Sequence, residues 1–353
     1  MRPSMPATPY PDCLIDEDGQ PRLGYFDQPV ADLGLDKFRY FNSMDKPAGA
    51  LRRYVDFKQF QFISINTGHH IIGVAIADIR YLASGFCYVY DLASNTLVEQ
   101  NWLRPARLGY QTMPSATEGQ AYIGSGNNRL EFTISGGQWR LKIDTDNIQA
   151  DVQLHGEEGE LPLALCSPTG YQGWTYTQKH NCLSVEGRLS INNTIEDLSE
   201  ALAGYDFSAG YMRRETNWCW ASINNRLSCG RRFGLNLATG VNESGVSENC
   251  CWLDGQRHYL PSVQFTFKRQ RGQALHLSDW QVRSNATNSE GRPIIELSFT
   301  PLNCRQERLN LWLLKSNFRQ YIGHYNGVIE TADGEKIIIN NMLGLSEDHF
   351  ARW

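Results

Sequence analysis

Residues 130–154 read LEFTISGGQWRLKIDTDNIQADVQL. Leu130–Ser135 and Gln138–Ile143 flank Gly136-Gly137, a pair able to take the positive φ angles of a tight hairpin turn. Asp144–Asn147 then turns the chain again into Ile148–Leu154, so the stretch is a meander. The same signals recur along the chain. Gln59–Asn66 alternates polar with apolar residues, and Phe86–Tyr90 is an aromatic run, as in a half-buried or buried strand. Asn249–Leu253 and Gln256–Leu260 flank Asp254-Gly255, and Thr331–Glu335 carries a second Asp-Gly turn before Lys336–Asn340. Helical periodicity is scarce; Ile195–Ala203 reads either as a short helix or as an irregular loop. The chain is therefore expected to be all-β, with antiparallel pairing throughout.

At 353 residues the chain suits two domains. Gly156–Pro162 is polar and turn-rich, which sets the expected junction near residue 160. The reading is an N-terminal barrel-like domain over 1–160, with the proline-rich Met1–Tyr10 wrapping its outside, and a C-terminal barrel-like domain over 161–353. Proline is absent from Thr169 through Leu260, as expected of central strands whose N–H groups all serve ladders.

Composition narrows the partners. Hydrophobic residues make up 41% and charged residues 20%, an ordinary globular balance. A net charge of -5 and a pI near 5.9 give no basic surface for a phosphate backbone, which excludes nucleic acid. The longest apolar run, Ile71–Ala77, falls far short of the roughly 20 residues of a spanning helix. Met1–Tyr10 holds three prolines and no apolar core of a secretion signal, so a cytoplasmic location is expected. His69 and His70 are adjacent and point to opposite faces of a strand, and His180-x-Cys182 is a lone pair, so no metal is expected. No Gly-x-Ser-x-Gly, Walker loop or Gly-x-Gly-x-x-Gly is present, and no cofactor is implied.

Tyr205–Gly255 concentrates the chemistry. In a strand Arg214, Thr216, Trp218 and Trp220 share one face, while Glu248, Trp252 and Asp254 share a face of a later one. Such density fits a cavity wall or a packed seam with buried ion pairs. Asp206, between Gly204 and Gly210, is a candidate general acid if buried in an apolar site, or else an ion-pair partner of Arg213 or Arg214 or a turn-capping residue. Glu248 is a second candidate, as base or orienting group. Trp218, Trp220 and Trp252 offer a ligand flat walls, with Arg214 over a ring, or else pack a core. Asn236 suits a polar ligand contact or a backbone-bridging amide.

An ordered series carries a family resemblance: Tyr176-Thr177-Gln178-Lys179, Val185-Glu186-Gly187, Asp206 with Gly210, Arg214 through Ala221, Gly234 through Leu237, and Glu248-Asn249 through Gly255. On these residues the C-terminal half resembles the bacterial domain of unknown function numbered 2804. Lys58–Phe62 and Ile76–Ile79 extend the likeness to the N-terminal half. More remotely, the series is similar to carotenoid 1,2-hydratase and AttH-like proteins. That implies two consecutive calycin-type, lipocalin-like β-barrels or strongly bent sheets, and a cavity for a hydrophobic or terpenoid molecule. Lys179, Arg214, Trp218, Trp220, Asn236, Asn249 and Trp252 are the candidate ligand contacts. Some of those relatives add water or cyclise by protonating an alkene. Here Asp206 is followed by Phe207 and Ser208, where the hydratase pattern has a histidine. Three functions follow: a cavity for a hydrophobic small molecule with acid-catalysed hydratase or isomerase chemistry, a non-catalytic carrier, and a glycoside-active enzyme using Asp206 and Glu248.

Overall fold

Between Gln138 and Asp144 buried and exposed residues alternate without a break, so one edge of the strand's pleat feeds a core and the other meets water. The turn before it is built as expected, with Gly136 and Gly137 at φ 56° and 79°. A computed structural model describes residues 11–353, apart from 107, 242–245, 270–276 and 312–313. The expected wrapping of Met1–Tyr10 lies outside the described residues.

Two compact units result. The first comprises the described parts of Met5–Ser94 and Val98–Arg213. Its strands are β1 (Gly24–Phe26), β2 (Lys58–Asn66), β3 (His70–Asp78), β4 (Leu82–Asp91), β5 (Thr96–Pro105), β6 (Tyr110–Gln111) and β7 (Gly119–Ser125). They continue with β8 (Asn128–Ser135), β9 (Gln138–Asp144), β10 (Ile148–His155), β11 (Leu163–Thr169), β12 (Gly173–Ile191), β13 (Thr194–Ile195) and β14 (Leu202–Gly210). The one α-helix among the described residues is α1 (Ala50–Asp56), which buries no residue. The sheet runs β5-β4-β3-β2-β14-β12-β10-β9-β8-β7-β6, with β11 and β13 on β12, and β1 on β11. Trp139 of β9 stacks on Tyr205 of β14 with ring centroids 4.6 Å apart, although β10 and β12 separate the two strands. Only a strongly curved sheet brings such rings together, and its concave side holds Ile63, Val74, Ile123, Phe132 and Leu141.

Arg214–Trp353, with Asn95–Leu97, forms the second unit. It contains β15 (Glu215–Arg226), β16 (Arg232–Thr239), β17 (Cys250–Leu253), β18 (Gln256–Tyr259), β19 (Val263–Phe267), β20 (Trp280–Ser284), β21 (Ile295–Asn310), β22 (Lys315–Glu330) and β23 (Lys336–Arg352). Their order is β18-β17-β16-β15-β23-β22-β21-β20-β19, and β19 also approaches β16, so this sheet nearly closes on itself. Asp254 and Gly255, at φ 48° and 78°, make the two-residue hairpin between β17 and β18. The fold is thus all-β, two near-barrel antiparallel sheets in succession.

One expectation changes. The division between units falls between Arg213 and Arg214, not near residue 160. Gly156–Pro162 has the composition of a linker because it is the loop between β10 and β11, exposed over 156–159, and both of those strands pair with β12. The 19-residue β12 carries β11 on its first part and β10 on its last, and its register on β14 breaks between His180 and Leu183, where Cys182 takes φ 69°. The chain over 196–201 is irregular rather than helical, between β13 and β14.

Candidate functional site

The expected shared face of Trp218 and Trp220 exists on β15, and it lies opposite the apolar core of the second unit, to which Cys219, Ala221 and Ile223 belong. β15 pairs with β23, and β23 with β22, so Trp220, Glu347 and Gln320 stand in one row across the sheet. Trp218, His349 and Phe318 form the next row. Glu347 is 6% exposed, and both its oxygens are used: Trp218 Nε1 donates to Oε1 at 2.7 Å and Gln320 Nε2 to Oε2 at 3.1 Å. The His349 ring sits against Trp218, centroids 4.2 Å apart, with Phe318 edge-on at 4.9 Å. Its Nε2 is 3.0 Å from Ser316 Oγ, and its Nδ1 is 3.7 Å from Glu347 Oε1. Arg305 lies over Phe318 at 5.2 Å and reaches Glu307 at 2.9 Å. An imidazole beside an oriented carboxylate, walled by aromatic rings, is equipped to take or give a proton away from bulk water.

Glu347, His349, Gln320 and Arg305 were not among the residues singled out from the sequence. Each is one polar residue in a long strand, and what makes them a cluster is the pairing of β15 with β23, more than a hundred residues downstream. The pattern Glu347-x-His349, with both side chains on one face of a strand, is the signal that could have found two of them.

Around this cluster the other sequence candidates serve the framework. Asn236 is fully buried and takes the bridging role: Trp220 Nε1 donates to its Oδ1 at 2.7 Å, and its Nδ2 donates to the Glu248 carbonyl at 2.7 Å. Asn249 accepts from Ala238 N at 2.7 Å and donates to Pro261 O at 2.8 Å, tying β16 to the chain after β18. Trp252 is fully buried, directly across from Gly234. Glu248 is buried beside β17. Arg214 is exposed and precedes β15, where its carbonyl accepts the Trp353 N–H.

Lys179 and Asp206 belong to the other unit. They face each other on β12 and β14, and Lys179 Nζ lies 2.7 Å from Asp206 Oδ2, both side chains largely buried. The partner is thus Lys179, where the sequence pointed to Arg213 or Arg214. Across the sheet from Asp206 come Phe62, Ala75 and Phe86 in one row, with Phe60 and Tyr88 beside them on the same face. Ser208 Oγ is 3.4 Å from the other Asp206 oxygen. An ammonium at hydrogen-bond distance favours the charged form of a carboxylate, which suits Asp206 to an ion pair more than to proton donation. No group of three or more metal-ligating side chains occurs among the described residues.

Residues 6–353 match the model of a family described as Domain of unknown function (DUF2804), and the chain belongs to that family. No curated protein matches it. Solved structures of similar fold include kievitone hydratase from Nectria haematococca, 12% identical with a TM-score of 0.50 over 84% of this chain and 88% of that one. CghA with Sch210972 is 9% identical, with a TM-score of 0.54 over 98% of this chain and 97% of that one. An AttH-like protein from Nitrosomonas europaea is 13% identical, with a TM-score of 0.49 over 83% and 92%. The two-barrel architecture implied by the sequence resemblance is therefore present. No helix among the described residues is long and apolar enough to cross a membrane.

Proposed function

We propose that this member of the DUF2804 family binds a small, largely apolar molecule of the lipid or terpenoid class and moves a proton on it, in hydratase- or isomerase-type chemistry. The observation that carries the reading is the Glu347 and His349 pair walled by Trp218 and Phe318. Glu347, fixed by the indole and by Gln320, sets the charge beside the imidazole; His349 delivers or removes the proton; the rings hold the apolar ligand and exclude water. Asp206, closed onto Lys179, supports the wall of the first sheet. That fold relatives include a protein named a hydratase is consistent with this reading.

The alternative, a carrier without turnover, is favoured by the closed state of the Lys179 and Asp206 pair and by both Glu347 oxygens being occupied. One experiment separates them. A panel of terpenoid and fatty alkenes is screened for quenching of indole fluorescence, and each quencher is incubated with the protein in D2O. Proton transfer puts deuterium into the ligand or its product, read by mass spectrometry. His349→Gln should keep quenching and lose incorporation. Quenching with no deuterium from any ligand moves the assignment to a carrier; no quenching at all removes both.

A further inference from the structure

A charged cluster on the inner face of the second sheet takes no part in the chemistry above. Cys219, Asp348, Arg319 and Gln306 form one row across β15, β23, β22 and β21. The next row of the same face holds Ala221 and Tyr321, both members of the apolar core, so the charges point inward, away from the Trp218 face. Arg269, just beyond β19, reaches Asp348 with two parallel bonds: Nε to Oδ2 at 3.0 Å and a terminal nitrogen to Oδ1 at 2.8 Å. That fork occupies both carboxylate oxygens. Arg319 is left with a 3.4 Å contact to Oδ2, and its buried Nε has no hydrogen-bond partner among the described residues.

Among the described residues two guanidiniums share one carboxylate, which leaves a positive charge in a site where Arg319 is 5% exposed. Burial of a cation whose donors are not all matched is unfavourable unless an anion completes it. Burial also pushes the Cys219 thiol up to about 12 and the Tyr321 hydroxyl above its ordinary range. Both stay neutral near pH 7 and leave the excess charge uncancelled. The Arg269 side chain is 58% exposed, so the cluster has a side open to solvent.

We propose that Arg319 and Arg269, with Asp348 between them, bind a small oxyanion: the carboxylate or phosphate group of a small molecule. The planar forks of two guanidiniums match either group in shape and charge, and Asp348 holds the arginines in place while the site is unliganded. This site is separate from the Glu347 and His349 pair, which faces the other way, and it stands whether or not that pair is catalytic.

The test is calorimetric titration of the full chain with sodium acetate and with sodium phosphate in low-chloride buffer. Saturable binding of at least one anion is expected, and which of the two binds assigns the group. Arg319→Gln should weaken it by about tenfold or more, the loss of a charge-assisted pair. Asp348→Asn removes the internal competitor and should tighten binding, an effect that general loosening of the barrel would not produce. Absence of saturable binding of both anions to the wild-type chain overturns the proposal, whatever the variants do. So does binding that Arg319→Gln leaves unchanged.

Discussion

Lys58 is 5% exposed at the start of β2, and its ammonium donates to the Val55 carbonyl and lies 5.9 Å from the Tyr81 ring. Burial lowers its pKa from 10.5 to about 8, against the opposing pull of Asp56. Because the folded value is the lower one, the unfolded chain binds more protons between pH 8 and 10.5, and stability rises with pH across that window. Lys58→Met should remove the rise. Relative to wild type, the variant's stability advantage should shrink by about 3 kcal/mol between pH 7 and 10.5 in urea titrations. A constant difference across the window would show that Lys58 is not desolvated. Asp206→Asn tests the other buried amine: Lys179 would lose its carboxylate, and stability should fall by about 3–5 kcal/mol. An unchanged melting temperature would return Asp206 to the list of proton donors. At this scale the sequence was only half legible. Period two was enough to put Trp218 and Trp220 on one face, but whether Asp206 meets an arginine or Lys179 depends on the register of β12 on β14, which no local pattern encodes.

Elements whose turns are short were readable, and those whose pairing is irregular were not. The Gly136-Gly137 and Asp254-Gly255 hairpins declare themselves through residues that tolerate positive φ. Bulges have no such mark. β22 shifts register against β23 between Tyr325 and Gly327, and Gly327 has φ 141°. A β-carbon there would sit 2.1 Å from the Glu296 carbonyl oxygen on the neighbouring strand. Both the backbone angle and the approach of β21 require glycine at this point. Gly327→Ala should therefore destabilise by about 1–3 kcal/mol, seen as a lower urea midpoint with an unchanged slope. Gly334, in the hairpin loop, has φ 89° with open space around its Cα. Gly334→Ala should cost less, since only the strain remains. Equal losses at the two positions would mean that the crowding against β21 is relieved by a backbone shift.

Over the whole molecule, two successive barrel-like sheets were legible from strand density and from the family resemblance, while the division between them was not. Linker-like composition pointed to Gly156–Pro162, yet the chain passes from one unit to the other between Arg213 and Arg214, in a connection, residues 211–214, that holds no proline or glycine. A polar, glycine-containing loop marks exposure, and exposed loops occur inside a sheet as readily as between domains. The two accounts differ in what a single cut would do. Strands on either side of residue 160 are laced together: β10 pairs with β12 over eight positions from Ile148 to His155, and β2 pairs with β14 over nine from Lys58 to Asn66. A protease site inserted after Gly159 should be cleavable in the native state, because the loop is exposed and an added segment adds only about 0.6 kcal/mol of closure cost for each doubling of loop length. After cleavage the two pieces should co-elute on a sizing column in native buffer and separate only in denaturant, because parting them would strip a whole ladder of main-chain bonds from β12 and β14 in the interior of the first sheet. Native separation into two folded halves would instead restore the boundary near residue 160.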